Sequence, residues 1–199
     1  MKEIIIIILI SYLLGNFQTS YILGRVFKKT DIRKFGSGNA GTTNALRVFG
    51  KKIAIATLLI DALKGVAAVM IGREISGDIG AITAGVSVVI GHNWPVFLKF
   101  KGGKGIATTI GVGLTITFLS GIISIILGIL IVIKTKYVSL GSLLAVIIWP
   151  VITIIVYKPF NLSLLILTTL LAIMALYKHR SNIRRLLSGQ ESKLGNKLN

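Results

Sequence analysis

The chain alternates long apolar runs with short polar segments. A membrane-crossing helix needs about 20 predominantly apolar residues to cover roughly 30 Å of hydrocarbon, and six runs approach or exceed this length: 4–24, 53–72, 79–97, 106–133, 138–157 and 161–177. The fourth run is ambiguous, because it would reach about 42 Å as a single helix. It is either one tilted helix or two short helices broken at Ser120–Gly121.

The basic residues decide between six spans and seven, because Lys and Arg beside spans are kept preferentially on the cytoplasmic side. With seven spans, only Lys2, Arg73 and Lys158 lie outside, and the basic segments share the other side: 25–52, 99–104, 134–136 and 178–197. With six spans, the last two segments would move outside. We therefore predict an all-α polytopic integral membrane protein of seven transmembrane helices. Its N-terminus is outside, its C-terminus is cytoplasmic, and residues 1–199 form a single domain.

Composition supports this class and removes others. The chain is 53% hydrophobic with a mean hydropathy of +0.84, which is typical of a polytopic membrane protein. Its net charge of +17 would suggest nucleic acid for a soluble protein, but these charges cluster between spans, so no nucleic-acid partner is predicted. There is no Cys, and the two His and six acidic residues form no HExxH pattern. No metal site is predicted, and without G-x-S-x-G no hydrolase nucleophile is predicted either.

The first polar segment of chemical interest is 36–47, GSGNAGTTNALR. Its glycines fit G-x-G-x-x-G, but no strand precedes them, so the dinucleotide-binding interpretation fails. A glycine turn leading into Thr42 and Thr43, which are good cap residues, predicts a short helix whose N-terminal amides suit a phosphate. Neutral donors follow at Ser37, Asn39 and Asn44, and Arg47 can bind phosphate oxygens through two parallel hydrogen bonds. An interfacial loop followed by an amphipathic helix explains the segment equally well.

The second segment is 91–108, GHNWPVFLKFKGGKGIAT, between two apolar runs. A polar, glycine-rich break at this place must face protein or water, because unpaired backbone groups in lipid cost several kcal/mol. Lys99, Lys101 and Lys104 supply cations, and the glycines let backbone N–H groups approach a ligand closely. The predicted ligand is an anion, most simply a phosphate. GGKG is followed by Gly105 rather than Ser or Thr, so this is not a nucleotide-hydrolysing P-loop.

The third segment is 178–191, KHRSNIRRLLSGQE. A basic amphipathic stretch after the last span usually contacts anionic lipid headgroups, but this does not explain His179 beside Asn182 on one helical face. The tail after Gly189 is expected to be frayed. Ser139, at the start of a span, is either a helix cap or a further donor.

Asp61 and Lys64 lie within the second apolar run. At spacing i, i+3 they share one helix face and can neutralise each other. A structural ion pair is favoured over a catalytic role for these two residues.

In this order, between short spans, the three segments resemble the three motifs of the bacterial acyl-phosphate:glycerol-3-phosphate acyltransferases, the PlsY family. The resemblance implies an enzyme that transfers a fatty acyl group from acyl phosphate to the 1-hydroxyl of sn-glycerol 3-phosphate. The products would be lysophosphatidic acid and inorganic phosphate, an early step of phospholipid synthesis. It further implies a bacterial plasma-membrane protein with its site facing the cytoplasm, no cofactor, and membrane lipids as its surroundings.

The resemblance also assigns roles to residues. Backbone and hydroxyl donors would cradle phosphate: Ser37, Gly38, Asn39, Gly41, Thr42, Asn44, Gly102 and Gly103. Four side chains would hold glycerol 3-phosphate or stabilise the oxyanion: Arg47, Lys104, His179 and Asn182. These four residues and Ser37 form the expected catalytic set. Further substrate contacts are expected from His92, Lys99 and Ser139. Either His92 or His179 could take the proton of the acceptor hydroxyl. The resemblance favours a substrate phosphate for this step, with His179 as a binder.

Two other classes fit part of the sequence. A transporter of organic phosphates would also need basic residues and broken spans, but it would need an anion path to the outer face, and no inverted repeat is evident. A scaffold that binds anionic lipid would tolerate Lys→Arg exchange throughout, whereas a phosphate site should not tolerate it at Lys104.

Overall fold

The computed structural model describes residues 1–195. These residues contain α-helices and two 3₁₀ turns and no β-strand, which confirms the predicted all-α class. The helices are α1 (Lys2–Asn16), α2 (Thr19–Lys28), α3 (Thr42–Phe49), α4 (Lys51–Asn93), α5 (Ile106–Ile116), α6 (Phe118–Thr135), α7 (Val138–Val156), α8 (Leu162–Lys178) and α9 (Arg180–Leu187). They group into two compact units: an N-terminal unit of residues 1–116 and a C-terminal unit that begins at Thr117.

The first predicted span is interrupted in the structure. Residues 4–24 were expected to form one helix, but α1 ends at Asn16 and α2 begins at Thr19, with Phe17 and Gln18 extended between them. The interruption frees backbone carbonyls, and the buried ammonium of Lys64 binds those of Gly15 and Phe17 at 3.2 and 2.6 Å. A charged side chain from α4 therefore satisfies the polar groups that a broken span exposes.

Helix α4 is two helices joined by a sharp turn. Ser76 and Gly77 have non-helical backbone angles, and Gly72 contacts Gly80 across the turn. In a straight helix these two glycines would be about 12 Å apart, so the chain reverses here. The turn falls inside the connection 73–78 between the second and third predicted spans.

The long run 106–133 is also broken, but not where the sequence suggested. The break is at Thr117, between α5 and α6, whereas Ser120 and Gly121 lie inside α6. The hydroxyl of Ser120 interacts with Thr153 at 3.0 Å, and the Trp149 indole donates to the Thr117 hydroxyl at 3.2 Å. These polar contacts hold the first turn of α6 against α7.

Among the described residues, four helical segments are long and apolar enough to cross a membrane: Lys2–Lys28, Lys51–Leu98, Phe118–Thr135 and Val138–Val156. A fifth is added if α8 and α9, bent by 63°, count as one span. Close packing in each unit depends on glycine, as is common between membrane helices. Gly15 of α1 meets Gly91 of α4 in the N-terminal unit, and Gly128 of α6 meets Gly141 of α7 in the C-terminal unit.

Candidate functional site

The glycine-rich loop 36–41 immediately precedes the N-terminus of α3. Gly36 and Gly38 have φ of 59° and 70°, a left-handed conformation that glycine adopts without steric cost. A short helix follows the glycine turn, as predicted, but α3 begins at Thr42 with Gly41 as its N-cap, so neither Thr42 nor Thr43 caps it and no side chain does. The amides of the first turn therefore point out of the helix end without a side-chain acceptor. The buried Thr42 Oγ1 likewise has no hydrogen-bond partner within residues 1–195.

Asn44 holds this loop together. Its amide nitrogen donates to the carbonyls of Phe35 and Asn39, both at 3.0 Å, and to that of Ile32 at 3.3 Å. Its Oδ1 accepts from the backbone N–H of Ser37 at 2.9 Å. The side chain is 2% exposed. Asn44, which the sequence predicted as a phosphate donor, therefore stabilises the loop through its own hydrogen bonds.

The remaining predicted donors of this segment surround the start of α3. Ser37 and Gly38 are exposed and Asn39 is partly buried. Arg47, in the last turn of α3, is also partly buried, and its guanidinium makes no hydrogen bond or ion pair with any other described residue. A guanidinium with no internal partner can bind an anion.

Arg33 connects this segment with the second one. It donates to both carboxylate oxygens of Asp31, at 3.0 and 2.8 Å, and to the carbonyl of Leu98 at 3.1 Å. The hydrogen bonds from Arg33 hold the pKa of Asp31 below its ordinary value, although burial acts in the opposite direction. No local pattern in the sequence indicates a role for Arg33, because its partner Leu98 is 65 residues away.

Gly102 and Gly103 are packed against His92. Neither glycine has a positive φ. A side chain at Gly102 would meet the His92 carbonyl and Pro95, and one at Gly103 would meet the imidazole, with Nε2 as the nearest atom. The N–H of Gly103 donates to the same carbonyl at 3.1 Å. These glycines are thus required by the protein's own packing, a reason different from ligand approach.

The lysines of the second segment differ in exposure. Lys99 and Lys101 are exposed, whereas Lys104 is partly buried immediately before Gly105, whose φ is 80° and which leads into α5. We call residues 102–104 the glycine–lysine loop. The hydrogen bond from Arg33 to the Leu98 carbonyl connects this segment to the chain that leads into the loop before α3, so two of the three predicted segments lie close together.

Asp61 and Lys64 form the predicted ion pair, at 2.9 Å with side chains 1% and 6% exposed. The Thr19 hydroxyl donates to Asp61 at 2.8 Å, and Lys64 Nζ lies 2.8 Å from His92 Nδ1. The Gln18 amide donates to the His92 carbonyl at 2.9 Å. The sequence predicted the pair but not its extension to His92.

The third segment lies in the C-terminal unit and is organised by Glu191. Its Oε1 accepts from Ser139 at 2.7 Å and from Asn182 at 2.6 Å, and its Oε2 accepts from Arg185 at 2.7 Å. Burial raises the pKa of Glu191, but these hydrogen bonds and the charge of Arg185 outweigh it, so the pKa is lowered. The expectation that the tail after Gly189 is frayed is wrong at this residue, and Ser139 binds Glu191 rather than capping a helix.

His179 lies at the bend between α8 and α9 and is 3% exposed. Its Nδ1 is 2.8 Å from the carbonyl of Ala175. A carbonyl can only accept, so Nδ1 carries a proton and, in the neutral ring, Nε2 carries the lone pair. Among residues 1–195 no group of three His, Asp or Glu is arranged to hold a metal ion.

Together these features define a class of helical membrane protein. Its N-terminal unit presents a helix start without a side-chain cap, an arginine and a glycine–lysine loop, and these groups are suited to binding phosphate. The model of the glycerol-3-phosphate acyltransferase family matches residues 5–189, and the chain belongs to this family.

Individual relatives agree over nearly the whole chain. The glycerol-3-phosphate acyltransferase of Thermoanaerobacter pseudethanolicus is 49% identical over 189 residues, covering 95% of this chain and 94% of that protein. That of Clostridioides difficile is 44% identical over 199 residues, covering 97% and 96%. The crystal structure of PlsY, an integral membrane glycerol 3-phosphate acyltransferase, in its glycerol 3-phosphate form matches with a TM-score of 0.90 and 32% identity over 96% of both chains. Its lysophosphatidic acid form matches with a TM-score of 0.87 and 31% identity, covering 96% and 95%.

Proposed function

We propose that this protein transfers a fatty acyl group from acyl phosphate to the 1-hydroxyl of sn-glycerol 3-phosphate. The hydroxyl oxygen attacks the acyl carbonyl carbon, the bond between that carbon and the phosphate oxygen breaks, and lysophosphatidic acid and inorganic phosphate are formed. The observation that carries the proposal is family membership over residues 5–189. Similarity to a protein solved in glycerol 3-phosphate and lysophosphatidic acid forms supports the substrate and product.

In the N-terminal unit, the start of α3 is proposed to bind phosphate. The amides that follow Gly41 and the orphaned Thr42 hydroxyl supply donors, and Ser37, Gly38 and Asn39 border them. Arg47 has no internal partner and can bind phosphate oxygens with two parallel hydrogen bonds. Asn44 acts indirectly, by holding the loop.

The glycine–lysine loop is proposed to contribute the positive charge of Lys104. Two phosphate-bearing substrates repel each other, so cations are needed before they can share a site. Exposed Lys99 is suited to attracting anions from solution. Loss of one donor to a developing oxyanion typically costs about 3 kcal/mol, or roughly a hundredfold in rate.

In the C-terminal unit, His179 and Asn182 are proposed to bind substrate. Glu191 orients the Asn182 amide at 2.6 Å and holds Ser139 at 2.7 Å, which leaves Ser139 a supporting role. His179 has its lone pair on Nε2 when neutral, so it can accept a hydrogen bond from a substrate hydroxyl. A substrate phosphate, with a second pKa of about 6, is proposed to take the proton itself. A His179→Gln variant should therefore keep most of its turnover at saturating substrate, and complete loss with binding intact would contradict this.

We further propose seven transmembrane helices in a bacterial plasma membrane, with the N-terminus outside and the site facing the cytoplasm. The turn at Ser76–Gly77 and the break at Thr117 support this count, because each divides a long apolar segment in two. The chain has no Cys, so single Cys residues can be labelled selectively. In intact cells a membrane-impermeant maleimide should label Lys2→Cys but not Lys193→Cys; the reverse pattern would overturn the orientation.

The decisive experiment is to incubate the purified protein in detergent with acyl phosphate and glycerol 3-phosphate, without coenzyme A or acyl carrier protein. Lysophosphatidic acid and inorganic phosphate should appear in equal amounts. Lys104→Met should abolish the reaction, whereas Lys134→Met, at an exposed lysine of α6, should retain it. Product formed only from acyl-CoA or acyl carrier protein would refute acyl phosphate as donor. Absence of product with every donor would refute the acyltransferase proposal.

A further inference from the structure

The ammonium of Lys64 is enclosed by hydrogen-bond acceptors. Asp61 Oδ1 is at 2.9 Å, the carbonyl of Phe17 at 2.6 Å and the carbonyl of Gly15 at 3.2 Å. The fourth neighbour is Nδ1 of His92 at 2.8 Å. An ammonium has three donors and no acceptor. Asp61 and the two carbonyls all favour the charged form of Lys64.

This arrangement fixes the proton on His92. Nδ1 faces a donor, so it must be the unprotonated nitrogen, and the proton of the neutral ring must lie on Nε2. A second proton would place an imidazolium N–H against the ammonium at 2.8 Å. Besides Lys64, the carboxylate of Asp61 faces the ring, with its Oδ1 3.9 Å from Nδ1. The ring is 2% exposed, so solvent does not relieve the conflict.

The protonated nitrogen borders the glycine–lysine loop. The space that a side chain at Gly103 would occupy is filled by the His92 ring, with Nε2 nearest. The backbone carbonyl of His92 is fixed at the same time by Gln18 and by the N–H of Gly103. The ring cannot turn over without losing its contact with Lys64.

We propose that Lys64 is a positioning residue for the reaction. By donating to Nδ1, Lys64 keeps His92 neutral with its single proton on Nε2. The ring therefore presents an N–H donor to the glycine–lysine loop and no lone pair that could act as a base. His92 is therefore excluded as the group that removes the proton from the acceptor hydroxyl. The link to catalysis rests on the proposed function, but the protonation pattern does not.

The test uses the full chain, labelled with ¹⁵N-histidine, in liposomes. There are only two histidines, and His179→Gln assigns the signals. Long-range proton–nitrogen correlations at pH 7 should show His92 protonated on Nε2 alone. In Lys64→Met, the ring should become doubly protonated beside the unpaired Asp61 carboxylate. In Asp61→Asn/Lys64→Met, which leaves no unpaired charge buried, it should be neutral with both tautomers present. A wild-type ring protonated on Nδ1, or spectra that do not change in these variants, would overturn the proposal.

A kinetic measurement separates positioning from folding. Lys64→Met should raise KM for glycerol 3-phosphate about tenfold, the effect of weakening one hydrogen bond to a charged group. The control Lys52→Met, at an exposed position of the same helix, should leave KM unchanged. A lower maximal rate with unchanged KM would indicate a purely structural Lys64 and refute the positioning role. The expected spectra without any acyl transfer would refute the proposed function and leave the proton assignment standing.

Discussion

Replacing Gly103 by Ala tests why the glycine–lysine loop needs its glycines. The added methyl would overlap Nε2 of His92 and lie 2.9 Å from Cε1 and 3.0 Å from Cδ2. Carbon atoms in contact are normally about 3.5–4.0 Å apart, so ring or loop must move by roughly 0.5–1 Å. The ring is held by Lys64 at 2.8 Å and its backbone by Gln18 at 2.9 Å. We therefore expect the loop to shift.

Such overpacking costs about 1–3 kcal/mol, and one kcal/mol lowers the melting temperature of a chain of this size by about 2–4 °C. Displacement of a binding group by about 1 Å can cost a hundredfold in rate. Gly103→Ala should thus lower kcat/KM for glycerol 3-phosphate by about tenfold to a hundredfold, measured as lysophosphatidic acid formed from acyl phosphate. The same preparation should unfold at a lower temperature in detergent.

The control is His92→Ala, alone and combined with Gly103→Ala. If the imidazole is what excludes a side chain at Gly103, the second substitution should have almost no effect once the ring is gone. An equally large loss from Gly103→Ala in both backgrounds would refute this reasoning. It would show that the glycine is needed for approach of the ligand to the backbone, as the sequence suggested.

Three further outcomes are expected. Asn44→Ala removes a buried amide with four hydrogen bonds and should lower the free energy of unfolding by about 2–4 kcal/mol, seen as a lower melting temperature; an unchanged value would refute its role in the loop. Arg47→Lys keeps the charge but loses the planar fork, so KM for glycerol 3-phosphate should rise about tenfold or more, whereas exposed Arg184→Lys should not change it. The pKa of Glu191 is lowered in the folded protein, so its stabilising contribution is complete above the ordinary carboxyl range and is lost as pH falls through the lowered value. Melting temperatures measured from pH 7 downward should therefore fall more steeply in the wild type than in Glu191→Gln, and parallel curves would contradict this.

The features that the sequence determined are local or compositional. Apolar runs of membrane-spanning length indicated an all-helical membrane protein, and glycines before two threonines indicated a short helix after the glycine turn, where α3 lies. Asp61 and Lys64 at spacing i, i+3 indicated an ion pair. Each of these follows from helix periodicity or burial cost along one stretch of chain, so neighbouring residues suffice to predict it.

Only the tertiary structure decided how polar atoms far apart in sequence are shared. In the folded chain, the Asn44 side chain is buried against the loop and Arg33 donates to the Leu98 carbonyl. Lys64 binds the carbonyls freed at the break in the first span and also contacts His92. Glu191, in a tail expected to be frayed, likewise accepts a hydrogen bond from Ser139, which is 52 residues away in the sequence. A buried donor or acceptor must find a partner, but which one it finds depends on helix packing, and the spacing of residues in the chain does not contain that information.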